Sequence, residues 1–343
     1  MRSMLRAFKG GARATKDVDG IMRSALLATL DRDLDLAEEL LVQAAHIDSS
    51  GVESFLALDR LFRMRGEIGR AIRIHQNLLL RSDLTPAKRI AVLADLAADF
   101  RQGGFLRRAI ASYEEVASHD PKNREALRSL VRLLADVREF PRAIEVAREL
   151  ARLEGRKRAP AEAGLHVEMA VAARAEGRND DARKAAKRAI RKDRNLVRAW
   201  IVLGELEAER GRNKAALAAW ARVPEIDSRS GPLVYPQLES AYAALGRPRD
   251  YEKLLRSALE QHPEDDDTRL ALARTLAARG EIDNGLKELR RLLARAPDHL
   301  ESRAAAGRIL LAEGRDAEAC QVLGELLDAL DRRGLLRSQG KLE

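Results

Sequence analysis

An all-α chain built of repeated helical hairpins is what this sequence predicts, and three observations carry the prediction. The first is composition. The 343 residues are 45% hydrophobic, 34% charged and only 3% aromatic. Ala, Leu and Arg dominate, which are strong helix formers, while the residue types that favour strands are scarce. There is ample apolar content to bury, so a disordered chain is excluded. The second observation is a recurring phrase: a turn residue, often Gly, followed by a helix with an early small residue, usually Ala. The third is the regular interval at which that phrase returns.

The phrase is clear at Gly66 with Ala71, Gly104 with Ala109, Gly177 with Ala182, Gly211 with Ala216, Gly280, and Gly314 with Ala319. Weaker copies are Arg32 with Ala37, Arg138 with Ala143, and Gly246 with Tyr251. The turns at 32, 66, 104, 138, 177, 211, 246, 280 and 314 are spaced by 34, 38, 34, 39, 34, 35, 34 and 34. A period of 34 resembles the tetratricopeptide repeat. The expected fold is therefore a right-handed superhelix of about nine helical hairpins, each burying its apolar face on its neighbours. The two longer intervals hold 82–86 and 155–160, read as loop insertions. Pro121, Pro263 and Pro297 fall twelve residues after the anchor position, where each stops a helix. Twelve residues before it, Ala25, Ala97, Ala170, Gly204, Ala273 and Gly307 let the paired helices approach closely.

The array is expected over residues 17–333. Residues 1–16, with five basic and no acidic side chains, read as a flexible arm, and 334–343 as a tail too short for a hairpin. No secretory signal and no transmembrane stretch is evident, so a cytoplasmic location is expected. Net charge is +8, which permits an acidic partner without requiring nucleic acid. The single cysteine, Cys320, excludes an internal disulfide and reads as a small buried residue beside its anchor. The six histidines have no metal-ligand spacing, and His75, on the second helix of its hairpin, reads as packed or hydrogen-bonded. There is no catalytic constellation, so neither enzyme nor cofactor is expected.

In such arrays the first helix of each hairpin, helix A, lines the groove. The groove slots would hold Arg60, Arg63, Arg101, Arg128, Arg132, Arg174, Arg274 and Arg308, interrupted by Glu205 and Glu209. Arginines there could take carboxylates of an acidic peptide bidentately; the competing reading is a solvated helix surface. A second basic cluster, from Arg183 to Arg194 on one helix B, lacks interleaved aromatics and reads as a solvated face rather than a nucleic-acid site.

One stretch is more specific than repeat packing requires: residues 61–78, from Leu61 through Arg63-Met64-Arg65-Gly66-Glu67 to Arg73-Ile74-His75-Gln76. It resembles the signature hairpin of the lipopolysaccharide assembly protein B family of Gram-negative bacteria. Arg89, Asp99-Phe100, Phe140 and Lys192-Asp193 continue the resemblance from about Asp31 to Leu330. The resemblance implies a non-catalytic adaptor at the cytoplasmic face of the inner membrane. Such an adaptor delivers the lipid A pathway deacetylase to a membrane AAA+ protease and so restrains lipopolysaccharide synthesis. The motif is the candidate partner surface, through Arg60, Arg63, Arg65, Glu67, Arg70, Arg73 and Gln76, and the groove positions add Arg101, Arg128, Arg132 and Arg174. A rival role for the motif residues is to lock adjacent repeats together. The family's membrane anchor and zinc domain have no counterpart in these residues; the expectation is a chain truncated before the zinc domain, or a natural short variant. Membrane contact is then peripheral at most, through the basic arm, and homo-oligomerisation stays open. The alternative function is a general scaffold for another multiprotein complex.

Overall fold

The computed structural model describes residues 18–48 and 51–333; the arm at 1–16 and the tail at 334–343 lie outside the described residues. It divides at Ala161/Glu162 into two compact units. The first holds four hairpins: α1 (Val18–Leu30) with α2 (Leu34–Ile47), α3 (Glu53–Met64) with α4 (Ile68–Leu79), α5 (Pro86–Gln102) with α6 (Leu106–His119), and α7 (Arg124–Asp136) with α8 (Phe140–Leu153). The second holds five. They are α9 (Pro160–Ala175) with α10 (Asn179–Lys192), α11 (Val197–Ala208) with α12 (Asn213–Trp220) and α13 (Arg222–Ile226), a 3-10 turn (Ser228–Leu233) and α14 (Tyr235–Ala244) with α15 (Pro248–Gln261), α16 (Asp266–Ala278) with α17 (Ile282–Arg295), and α18 (Leu300–Ala312) with α19 (Asp316–Arg332). No strand occurs among the described residues.

The hairpin turns share one construction. All nine turn positions adopt positive φ, seven as Gly and two as Arg: Arg32 at 59° and Arg138 at 63°. In each, the next N–H donates to the carbonyl five residues back, such as Asp33 to Ala28 at 2.9 Å, Glu67 to Phe62 at 2.8 Å and Arg315 to Leu310 at 2.9 Å. This 6→1 bond satisfies a carbonyl that the end of helix A would otherwise leave open. Loop insertions follow α4 and α8, where the longer intervals place them. Thr85 caps α5 by accepting from the Lys88 N–H, and the Arg89 guanidinium donates to the carbonyls of Leu79 and Arg81 at 2.7 and 2.6 Å, closing the first insertion.

Close approach within a hairpin rests on the small anchor. Ala37, Ala71, Ala109, Ala143, Ala182, Ala216 and Ala319 are all fully buried. Gly285 takes this place in α17, and a Cβ there would lie 2.7 Å from the carbonyl oxygen of Ala273 in α16. A Cβ on Gly204 would collide with the Trp220 indole in the same way. The core of α9 to α11 is consequently Ala-rich, with Ala170, Ala173, Ala182, Ala185, Ala186, Ala189 and Ala199 all buried. The hairpin whose anchor is Tyr251 is built differently. Tyr251 packs on Tyr242, ring centroids 6.0 Å apart, with Tyr235 in the same cluster. Helix continuity also fails in this region, where Pro224 and Pro232 each remove a backbone donor.

Two substitutions test this construction in opposite directions. Gly285→Ala is expected to lower the unfolding free energy by about 1–3 kcal/mol, because a carbonyl must move. Arg32→Gly is expected to raise it by about 0.5–1 kcal/mol, by removing a side chain from the left-handed region. Urea unfolding of both variants checks the pair.

Candidate partner-binding surface

The signature stretch builds a buried ionic cluster between the second and third hairpins. Asp59 and Arg63 come from α3, His75 from α4 and Asp99 from α5. The Arg63 Nε donates to Asp99 Oδ1 at 2.5 Å and lies 3.2 Å from Asp59 Oδ2. The His75 Nδ1 meets the other oxygen of Asp99 at 2.7 Å and Asp59 Oδ1 at 3.5 Å. Asp59, His75 and Asp99 are buried. The two carboxylates and the imidazole could hold a cation, but the Arg63 guanidinium already lies against both carboxylates and supplies the compensating charge. Burial, reinforced by the neighbouring Asp99, outweighs His75 and Arg63 and pushes the Asp59 carboxyl up to about 6.

His75 is packed and hydrogen-bonded, as its place on helix B leads one to expect; Asp59 escaped sequence reasoning, and Asp99 entered it only as part of the resemblance, with no role assigned. A signal was present. Asp59 sits twelve residues before its anchor, where six other hairpins carry Ala or Gly. Asp99 sits ten before its anchor, where Leu61, Leu133 and Leu206 are buried core residues. His75 sits four after, in the slot of buried Leu41, Leu255 and Leu289. Three polar residues in three apolar slots of adjoining hairpins mark one cluster.

The remaining candidates fall into two groups. In the first, side chains are engaged inside the protein. Arg65 pairs with Glu38 at 2.7 Å and with Asp35, tying the second hairpin to the first. Arg70 bonds Glu38 at 2.5 Å and Glu67 at 2.8 Å, and lies over the Phe62 ring at 3.8 Å. Arg128 pairs with Glu154 at 2.6 Å. Arg174 pairs with Glu205 and Glu209 on the next A helix. Arg63, Arg65 and His75 are therefore ties between elements, not surplus to hairpin packing.

In the second group, Arg60, Arg73, Gln76, Arg101 and Arg132 are exposed, and no side-chain hydrogen bond or ion pair is recorded for them among the described residues. Arg73 and Gln76 are on α4, a B helix; Arg60, Arg101 and Arg132 are on the A helices α3, α5 and α7. Arg60 lines a groove of about 590 Å³ between α1 and α3. Arg274 and Arg308, at the same distance before their anchors as Arg60 and Arg132, line a groove of about 550 Å³ between α16 and α18.

In the second basic cluster, Arg183 pairs with Glu207, Lys184 with Asp181 at 3.6 Å and Lys192 with Glu162 at 2.9 Å. Three of the seven basic residues between Arg183 and Arg194 are thus paired within the protein. Cys320 differs from expectation: it is exposed. It lies one position beyond its anchor, about 100° around the helix, on a hairpin that no later described hairpin covers. No helix of the described residues is long and apolar enough to cross a membrane.

Sequence profiles described as tetratricopeptide repeat match residues 95–162, 167–229 and 242–299, together more than half of the chain. The chain belongs to the tetratricopeptide-repeat family. It is similar to lipopolysaccharide assembly protein B of Escherichia coli K12, with 29% identity over 250 residues, covering 73% of this chain and 64% of the relative. Against the Haemophilus influenzae protein of the same name, identity is 27% over 248 residues, covering 72% and 62%. The chain thus spans less than two thirds of the length of these relatives. Among solved structures, a tetratricopeptide repeat protein from Parabacteroides merdae is 15% identical, covering 76% of this chain and 98% of that one, at a TM-score of 0.40. This is a non-catalytic, protein-binding repeat array.

The two groups of arginines should part on substitution. Arg63→Ala leaves buried carboxylates uncompensated and is expected to cost about 3 kcal/mol of stability, whereas Arg60→Ala should stay within about 0.5 kcal/mol. Chemical denaturation of both variants measures the difference.

Asp59 gives a pH signature. Its carboxyl titrates near 6 in the folded chain against an ordinary 3.8, so the folded state binds the extra proton. That raises stability as pH falls from about 7 towards 4 and removes the gain as pH rises through 6. The unfolding free energy of the wild-type chain relative to Asp59→Asn should therefore increase between pH 7 and pH 5. A difference independent of pH would contradict the assignment.

Proposed function

We propose that this chain is a recruitment adaptor that binds the lipid A pathway deacetylase and brings it to a membrane AAA+ protease, so limiting lipopolysaccharide synthesis. The observation that carries this reading is the similarity to lipopolysaccharide assembly protein B across 250 residues. The geometry is compatible with such a role. A repeat array contributes binding energy and position rather than chemistry, and exposed arginines with no partner among the described residues are available to a ligand's carboxylates.

The test is the lifetime of the deacetylase in the native host after protein synthesis is stopped. Deleting the gene for this chain should lengthen that lifetime, and restoring the gene should shorten it again. An unchanged lifetime would sink the recruitment reading and leave a general assembly scaffold.

A further inference from the structure

The residue that follows each left-handed turn opens helix B, and in eight of the nine hairpins it is charged. In five of these it forms an ion pair with the side chain three positions on, as Glu67 does with Arg70 at 2.8 Å and Arg247 with Asp250 at 2.6 Å. The third hairpin has Phe105 there instead, and that ring is 49% exposed. Arg108, three positions on, forms no ion pair among the described residues. Its guanidinium lies 5.8 Å from the Phe100 ring and 5.7 Å from the Phe105 ring, and the two rings meet edge to face with centroids 6.3 Å apart. The second partner that such an arginine finds elsewhere is replaced as well. Arg70 also bonds Glu38, one residue after the anchor of the preceding B helix, and Arg142 also bonds Glu114, five residues after it. The corresponding positions of α4 hold Ile72, which is buried, and Gln76, which is exposed. Arg73, one turn away on α4, and Arg107 are exposed too, with no ion pair among the described residues. A charged residue closes the other hairpins at this point, so the fold itself does not call for an exposed ring.

We propose that the turn edge of the third hairpin docks a second protein, distinct from the one held by the A helices. Its contact is a segment whose apolar side chain sits on Phe105, with flanking carboxylates on Arg108, Arg73 and Arg107 and a backbone amide on the Gln76 carboxamide. An exposed aromatic ring among guanidinium groups has the composition of a protein–protein contact centre, where aromatic residues and Arg supply much of the binding energy. One half-exposed ring offers little apolar area to insert into a bilayer, and it gives no series of platforms for successive bases. Guanidinium forks take carboxylates through paired hydrogen bonds, and the Gln76 side chain can both donate and accept. The inference rests on the recruitment reading, which requires two proteins to be held at once. A surface made by a turn and by B helices leaves the A-helix groove open for the other.

The probe is a fluorescein-labelled peptide with two adjacent Leu, flanked on each side by two Glu and then by Gly-Ser. One comparison peptide replaces Leu by Ser, and the other replaces Glu by Gln. Fluorescence anisotropy with the full chain should show the parent peptide binding more tightly than either. Phe105→Glu gives Arg108 the carboxylate that Glu67 and Glu139 give Arg70 and Arg142. It should therefore keep the melting temperature within about 3 °C of the wild type, yet lower peptide affinity about tenfold or more. Arg73→Gln with Arg108→Gln, both at exposed positions, should lower it as well. Lys187→Gln with Arg191→Gln on α10 should bind as the wild type does. No binding of the parent peptide to folded wild-type chain, equal binding of the Ser peptide, or undiminished binding by Phe105→Glu overturns the proposal. Wild-type binding to vesicles of equal parts phosphatidylglycerol and phosphatidylcholine, abolished by Phe105→Glu, would assign the edge to a bilayer and overturn it too. Deacetylase capture tells the two readings apart. Phe105→Glu should capture the deacetylase as the wild type does; loss of that capture would overturn the assignment to a second protein. If the peptide results hold while deacetylase lifetime ignores the chain, the recruitment reading fails and the docking edge stands.

Discussion

How closely the two helices of a hairpin approach governs the rest of this chain. Seven anchor positions are fully buried alanines, and at Gly285 even a methyl group would meet a backbone carbonyl. Such contact leaves little tolerance in the connecting turn, which explains why all nine turn residues are left-handed although two are arginines. For those two, the backbone geometry prevails over a local preference that would favour Gly. Once the hairpins are closed, each presents one helix face at nearly the same register as the last, and the slot occupied by a residue decides whether it packs, pairs or faces solvent.

Between the second and third hairpins that rule is broken by chemistry. Asp59, His75 and Asp99 occupy slots that are apolar in most of the other hairpins, and Arg63 neutralises them. Burying such a cluster costs desolvation energy, visible in the raised Asp59 carboxyl. What it can supply in return is specificity: it ties α3, α4 and α5 in one arrangement that aliphatic side chains would not dictate. Arg65 and Arg70 extend the tie backward to Glu38 on α2. The arginines of the first unit thus do two jobs, some holding hairpins together and some left to solvent.

Much of the fold was legible in the sequence because a repeat reports every structural constraint several times. The turns, the anchors, the proline stops and the two insertions all fell where the 34-residue frame placed them. The break at Pro224 and Pro232 was less legible, since neither proline lies at a repeated position and the spacing of turns hides it. Spacing alone also could not sort the candidate arginines. Arg60 and Arg63 are both groove positions on α3, yet one has no partner among the described residues and the other is locked, because pairing depends on which residue the next hairpin offers. Asp99 is 36 residues beyond Arg63, so the partner is found only when the hairpins are aligned slot by slot. Cys320 failed for a related reason: a position covered inside an array is bare on a hairpin that no later described hairpin covers.

The most direct measurement is hydrogen–deuterium exchange of the chain with and without the lipid A deacetylase. The account predicts added protection in peptides from α3, α5 and α7, where Arg60, Arg101 and Arg132 lie, and none in α4, α6 and α8. Protection confined to the B helices, or spread without regard to helix face, would contradict the claim that the unpaired arginines of the A helices read the partner.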